Sequence, residues 1–332
     1  MGYDGRIMRR ALTRFEEDRR CRQEAFARRL EEIYTRQPRL REIQGQLSAT
    51  MAQLIATALR RGTDPRPAVE ALRAKNLSLQ QERRTLLAQL GLPEDALEEK
   101  PECPLCGDTG YRGEAVCSCL RRYYAQEQKQ ELSRMLSLGD RSFDNFSFEW
   151  YSPLPTARDH TSPRQNMEAV YDVCVDFARH FGEAPRNLLL FGDPGLGKTF
   201  LSACIAREVS DRGYSVVYDT AGHVFANFED RKFGRGEEAA AETQRVLESD
   251  LLILDDLGTE MTTSFVVSAL YEILNTRLLA GRSTVVSTNL TPPELAPRYS
   301  RQIASRIEGE YEILPFIGED IRRLKREKEQ GH

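Results

Sequence analysis

Residues 187–201 read NLLLFGDPGLGKTFL, and this stretch decides the fold. Leu188 to Phe191 form the short apolar run of a buried strand. Gly192-Asp193-Pro194-Gly195-Leu196-Gly197-Lys198-Thr199 then completes a G-x-x-x-x-G-K-[ST] phosphate loop, and Phe200-Leu201 continue into a helical pattern. The glycines allow a tight turn whose N–H groups point inward at a phosphate, and the following helix adds the positive end of its dipole. Lys198 is the cation expected to neutralise β/γ-phosphate charge, and the Thr199 hydroxyl is the expected Mg²⁺ ligand. The stretch from Gly192 to Phe200 is therefore the expected nucleotide cradle. A glycine-rich turn matching by chance is the alternative, and the flanking strand and helix argue against it.

Working outward from the loop, strand and helix patterns alternate from residue 166 onward. The strands are expected at Asn187–Phe191, Ser215–Asp219, Leu251–Asp255, Thr284–Ser287 and Glu312–Phe316. That alternation predicts an α/β domain, a parallel sheet with helices on both faces. Leu251-Leu252-Ile253-Leu254-Asp255-Asp256 is an apolar run closed by two acids, a Walker B pattern. Asp255 is expected to hold Mg²⁺ through a water, and Asp256 to orient or deprotonate an attacking water. The strand Thr284–Ser287 leads into Thr288 and Asn289, a polar tip suited to sensing a γ-phosphate. Arg298, Arg301 and Arg306 lie in RYSRQIASR on an expected helix, and composition does not choose among them.

The 332 residues suffice for about two domains. No apolar run approaches the ~20 residues that span a bilayer, and the N-terminus lacks the apolar core of a secretory signal. These features exclude a helical membrane protein and point to a cytoplasmic location. The net charge of −4 is uneven. Residues 1–100 hold 20 Lys and Arg against 15 Asp and Glu; the rest hold 27 against 36. The basic first third is compatible with a nucleic acid or acidic protein partner, or with a solvated helical surface.

Residues 4–36 carry apolar residues at helical spacing, with Phe15, Arg22, Phe26, Leu30 and Ile33 on one stripe. A second helix follows Pro38, with Leu40, Ile43, Leu47, Met51, Leu54 and Ala58 near a heptad seam. Gly62-Thr63-Asp64-Pro65-Arg66-Pro67 is a stop-and-turn signal before a third helix, from about Ala68 to Leu90. These helices can pack on one another or present their apolar faces to a partner. Four of seven cysteines then fall within 17 residues: Cys103, Cys106, Cys117 and Cys119. No histidine lies nearby, so a metal here needs a Cys₄ set, a closed structural Zn²⁺ site. A redox dithiol is the rival reading. Residues 139–165 are expected as a linker, and their aromatics Phe143, Phe146, Phe148, Trp150 and Tyr151 either stack on nucleotide bases or pack against the next domain or flank an adenine pocket.

Taken together, GDPGLGKTFL, LLILDDLGTE, STNL, RQIASRI and GEDIR resemble the AAA+ ATPases of the DnaC/DnaI helicase-loader and IstB transposition-helper group, over about residues 140–323. The resemblance implies an AAA+ domain over residues 166–332 without a C-terminal lid. Before it would stand a helical partner-binding region over 1–98 and a zinc module with its following helix over 99–138. It implies Arg306 as an arginine finger acting on a neighbouring subunit and a sensor 2-like or structural role for Arg322. Gln302 stands where the group commonly has arginine. It further implies ATP and Mg²⁺ as cofactors beside Zn²⁺. The implied partners are a hexameric replicative helicase, held through the N-terminal region, and single-stranded DNA. A homo-oligomer is expected when ATP is bound. From composition alone, Phe225, Phe228, Arg231 and Lys232 can face DNA, by stacking and phosphate contact, or belong to an ordinary surface helix. The alternatives are an IstB-like transposition helper and a zinc-containing adaptor that uses ATP as a switch.

Overall fold

The computed structural model describes residues 3–58, 66–136, 141–155, 161–234 and 237–330. Two compact units are present: residues 14–117, and residues 1–13 together with 118–332. In chain order the elements begin with helices α1 (Gly5–Arg36), α2 (Pro38–Ala58) and α3 (Arg66–Gln89). The expected turn at Gly62-Thr63-Asp64-Pro65 lies outside the described residues, as do the side chains of the seam at Met51, Leu54 and Ala58.

In the smaller unit, Ile33, Leu40, Leu87, Ala96 and Leu97 form an apolar core with Leu30, Tyr34, Leu86 and Leu90 around it. Arg22, on the expected stripe, instead ion-pairs with Glu102 at 2.8 Å and Asp108 at 3.6 Å. A two-stranded hairpin, β1 (Tyr111–Arg112) with β2 (Ala115–Val116), follows within the cysteine segment. Helix α4 (Ser118–Leu136) begins at the second cysteine pair.

The larger unit continues with α5 (Pro163–Arg179), β3 (Leu188–Gly192), α6 (Lys198–Asp211), β4 (Val216–Thr220), α7 (Ala221–Lys232) and α8 (Glu237–Glu248). Next come β5 (Leu251–Leu257), α9 (Ser264–Leu279), β6 (Ser283–Thr288), α10 (Pro292–Arg298), α11 (Arg301–Glu310), β7 (Glu312–Phe316) and α12 (Ile321–Gln330). Local chemistry sets the helix starts. Ser162 and Gln165 make a capping box with Pro163 behind it, and Thr220, Thr263 and Ser300 cap α7, α9 and α11.

All five major strands are parallel, in the order β4-β5-β6-β3-β7. Side chains alternate across the sheet, so its apolar runs feed two cores. Leu188, Leu190, Leu251, Ile253 and Val285 pack on one face with α5 and α6 residues such as Phe177 and Leu201. Leu189, Leu252, Leu254 and Val286 pack on the other with Phe225, Phe228, Leu270 and Ile303. This is the expected α/β architecture, a parallel sheet covered on both faces with the phosphate loop leading from β3 into α6.

The placement of Phe225 and Phe228 corrects the expected DNA contact. They are 3 % and 2 % exposed, on the stripe Ala221-Val224-Phe225-Phe228 that fastens α7 to the sheet. Neither can stack on a base. Arg231 lies over the Phe228 ring at 4.8 Å and pairs with Glu272, and Lys232 lies over Phe265.

Arg277 is wholly buried on α9. Its guanidinium donates to the carbonyls of Val246 at 2.8 Å, Ser249 at 2.9 Å and Ser283 at 2.6 Å, and to Thr284 Oγ1 at 3.0 Å. It thus satisfies the open end of α8 and the entrances to β5 and β6 at once. Arg277→Leu strands these carbonyls without donors and is expected to lower unfolding stability by about 3 kcal/mol in urea titration. Arg277→Lys, lacking the fork, should recover less than half of that.

Candidate nucleotide site

The parallel strands all end at one edge, and the predicted motifs meet there. Gly192 has φ +145° and closes against β7: a Cβ there would stand 2.2 Å from the Phe316 carbonyl oxygen. That position has no room for a side chain. Gly197, at φ +96°, caps α6, whose first residue is Lys198. The loop is held from outside by two hydrogen bonds. Tyr151 Oη donates to the Leu196 carbonyl at 2.9 Å, and the Ile321 N–H, opening α12, donates to the Gly195 carbonyl at 3.1 Å.

Lys198 is 5 % exposed, and its ammonium donates to the carbonyls of Gly192 at 2.6 Å and Asp193 at 2.9 Å and to Asn289 Oδ1 at 2.8 Å. The lysine and the polar tip after β6 are therefore in direct contact. Burial pushes the Lys198 ammonium below its ordinary pKa, against the pull of Asp256, Asp255 and Asp193.

The two acids after β5 have different surroundings. Asp255 is 4 % exposed and accepts from Tyr218 Oη at 2.7 Å and from the Ser287 hydroxyl. Between Leu254 and Leu257 the ladder with β6 slips, and Asp256 adopts φ +56°. Such a bulge re-aims a side chain, here bringing Asp256 into the cavity wall. The Asp256 N–H donates to Ser287 Oγ at 3.0 Å, so one serine fixes both residues. Asp256 is exposed to solvent as a residue, and partial desolvation of its carboxyl by the surrounding protein, with the Asp255 carboxylate second, holds it above the usual range, while Lys198 and Arg322 oppose this.

The cavity at this edge measures about 400 Å³. Pro194, Gly195, Gly197, Lys198, Thr199 and Phe200 line it from the loop, Asp256, Thr259 and Asn289 from the sheet edge. Asn145, Phe146, Trp150 and Tyr151 form an aromatic wall, and Arg322 and Lys325 of α12 close the far side. Phe146, Trp150 and Tyr151 thus line the cavity, while Phe143 and Phe148 pack against the core of the domain. Phe146 is wedged among Phe148, Tyr151, Tyr171 and Phe200. Of the expected cradle, Leu196 turns its side chain into the core, 2 % exposed.

Arg306 is absent from this wall. It lies against Tyr271 of α9, its guanidinium 5.1 Å from the ring centre and bonded to the hydroxyl at 3.1 Å. Arg298 is engaged within the subunit, donating to the Gly258 and Glu260 carbonyls at 3.0 and 2.6 Å. Arg301 is exposed. Tyr218, Ser287, Thr259 and Arg141, the last of which also lines the cavity, escaped sequence reading. Ser287 was discoverable from register, since Val286 pairs with Leu254 and so puts Ser287 beside Asp255.

The sulfurs of Cys103, Cys106, Cys117 and Cys119 lie within 4.8 Å of one another, with Cys103 and Cys117 3.7 Å apart. Zn–S bonds of ~2.3 Å in a tetrahedron place sulfurs ~3.8 Å apart, so the cluster is compatible with zinc. Asp108, at φ +59°, accepts from the N–H groups of Cys103 at 2.8 Å and Glu102 at 3.0 Å, fixing the first turn. Among the described residues no helix is long and apolar enough to cross a membrane.

Tyr151→Phe removes the only side-chain hydroxyl bonded to the Leu196 carbonyl among the described contacts. A fluorescent ATP analogue is expected to bind this variant about fivefold more weakly in equilibrium titration, the worth of one buried hydrogen bond of ~1 kcal/mol.

Comparison with known proteins agrees with this geometry. Residues 174–302 match the family model described as IstB-like ATP binding protein. An insertion sequence ATP-binding protein of Sinorhizobium fredii is 32% identical over 154 residues, covering 44% of this chain and 60% of that protein. The replicative helicase loader DnaI of Bacillus subtilis is 29% identical over 138 residues, covering 40% of this chain and 43% of DnaI. The chain spans about half the length of the curated relatives it matches. A crystal structure of the DnaC helicase loader superposes with a TM-score of 0.45 at 20% identity, covering 55% of this chain and 99% of that one. Residues 174–302 thus resemble the IstB-like ATP-binding family, and the proteins this chain is similar to include both helicase loaders and insertion sequence proteins.

Proposed function

We propose that this protein is an ATP-hydrolysing loader that delivers a hexameric replicative helicase onto single-stranded DNA. The observation that carries the ATPase reading is the convergence of Lys198, Asn289 and Asp256 on one cavity edge. In this reading the loop N–H groups and Lys198 hold the phosphates, and Thr199 with Asp255, through water, holds Mg²⁺. Asp256 orients and deprotonates the attacking water, and Asn289 fixes the γ-phosphate or that water. Arg306 faces a neighbouring subunit, which its absence from its own cavity wall supports. ATP binding therefore drives homo-oligomer assembly.

The helical region and the cysteine module are assigned to the partner. Four sulfurs within 4.8 Å of one another staple with Zn²⁺ a segment whose two strands hold only two residues each. Metal analysis should find one zinc per chain, and Cys103→Ser should lose it while leaving ATP binding unchanged.

The relative from Sinorhizobium fredii supports a second reading, a transposition helper that acts with a transposase. Loading of a purified replicative helicase onto circular single-stranded DNA separates the two. The full chain with ATP should raise the DNA-bound helicase, and Lys198→Ala should abolish the gain. No gain with the wild type, beside capture of a transposase, would replace the loader reading. A third reading, an adaptor switched by ATP binding alone, requires Asp256→Asn to turn over ATP at the wild-type rate. The loader reading expects a loss of at least a hundredfold. The Asp256 carboxyl keeps its proton to higher pH than an ordinary aspartate. Activity that needs the carboxylate should therefore be full at neutral pH and decline on acidification from above the ordinary value of about 4.

A further inference from the structure

The turn that follows β5 connects the cavity to the helix carrying Arg306 through hydrogen bonds alternating with short covalent steps of the chain. Asp256 and Thr259 both line the cavity, and Thr259 Oγ1 donates to the Asp256 carbonyl at 2.9 Å. The next residue, Glu260, is not part of the cavity lining. Its carboxylate accepts from the Gly258 N–H at 2.9 Å and from the Tyr299 hydroxyl. Arg298 grips the same turn by its Gly258 and Glu260 carbonyls. Tyr299 is 7 % exposed and ends α10, and Ser300 immediately caps α11. Arg306 stands on α11, on the face that meets Tyr271.

From this arrangement we infer that Glu260, Tyr299 and Arg298 are positioning residues that tie the arginine offered to a neighbouring subunit to the state of the subunit's own nucleotide site. The inference rests on the reading of Arg306 as an arginine acting in trans. The physical basis is rigidity. A buried tyrosine hydroxyl on a carboxylate and a guanidinium on two carbonyls are charge-assisted bonds, stronger than neutral ones. A displacement of Asp256 and Thr259 by a γ-phosphate therefore reaches the α10–α11 junction rather than dissipating in a free loop. Glycine at 258, with φ +103°, gives the turn the backbone conformation the link requires. None of these three residues needs to touch nucleotide, so their loss should change turnover and leave affinity alone.

The test mixes two full-length variants that are each inactive. Arg306→Ala subunits keep a complete site and offer no arginine. Asp256→Asn subunits bind nucleotide and offer the arginine but do not hydrolyse. Turnover in the mixture then comes from an Arg306→Ala site served by an Asp256→Asn neighbour. Tyr299→Phe, which removes the hydroxyl and keeps the ring, is added to one partner at a time. Added to the Asp256→Asn partner, it should lower turnover at least fivefold; added to the Arg306→Ala partner, it should change turnover less than twofold. Glu260→Ala should follow the same pattern. Unchanged affinity for a fluorescent ATP analogue in every mixture shows that the proteins are folded. Equal losses in both placements, a loss confined to the Arg306→Ala partner, or no loss at all would overturn the link. A wild-type rate for Arg306→Ala alone fails differently: it removes the trans arginine, and the link with it.

Discussion

A buried parallel sheet must bring all its strand ends to one edge, and the rest of this site depends on that constraint. The order β4-β5-β6-β3-β7 sets β3 beside β6, and β6 beside β5. The lysine after β3, the asparagine after β6 and the acids after β5 are forced into one small volume. The Lys198–Asn289 bond of 2.8 Å is the direct result of that adjacency. Charges so crowded are costly to bury alone, and the two buried ones are bonded: Lys198 by loop carbonyls, Asp255 by Tyr218 and Ser287. The sheet supplies the placement, and the polar bonds hold the ionised groups in the aim that phosphate chemistry requires.

Adjacent carboxylates could not do different work in identical surroundings. The slipped ladder between Leu254 and Leu257 separates them. Asp255 stays in the strand, enclosed by two hydroxyls. Asp256 leaves it in a left-handed conformation and reaches the cavity, where partial desolvation and its neighbour raise its pKa. Outside the sheet, Tyr151 and α12 grip opposite carbonyls of the phosphate loop. That makes the aromatic wall and the C-terminal helix parts of the same pocket, although they lie on either side of the domain in sequence.

The motifs with fixed spacing were legible in the sequence because backbone geometry demands them. Gly192, Gly197 and Lys198 sit where the loop pattern put them, and all five strands fall within two residues of their expected ends. What escaped depends on pairing between distant strands. Tyr218 reads as an ordinary strand residue until β4 is known to lie beside β5. Arg277 reads as a surface cation at the end of a helix, and only the carbonyls around it explain its burial. Phe225 and Phe228 failed for the opposite reason. Their spacing fits a core stripe as well as a binding face, and periodicity alone does not say which way a helix turns.

On the proposed function, the site is completed by a second copy of the chain through Arg306. The most direct test is ATP turnover per chain measured across a wide range of protein concentration. A site completed in trans predicts low turnover per chain in dilute protein, rising with concentration to a plateau, with Arg306→Ala flat and low throughout. Turnover per chain that is constant at every concentration down to full dissociation, and equal in the Arg306→Ala variant, would contradict it.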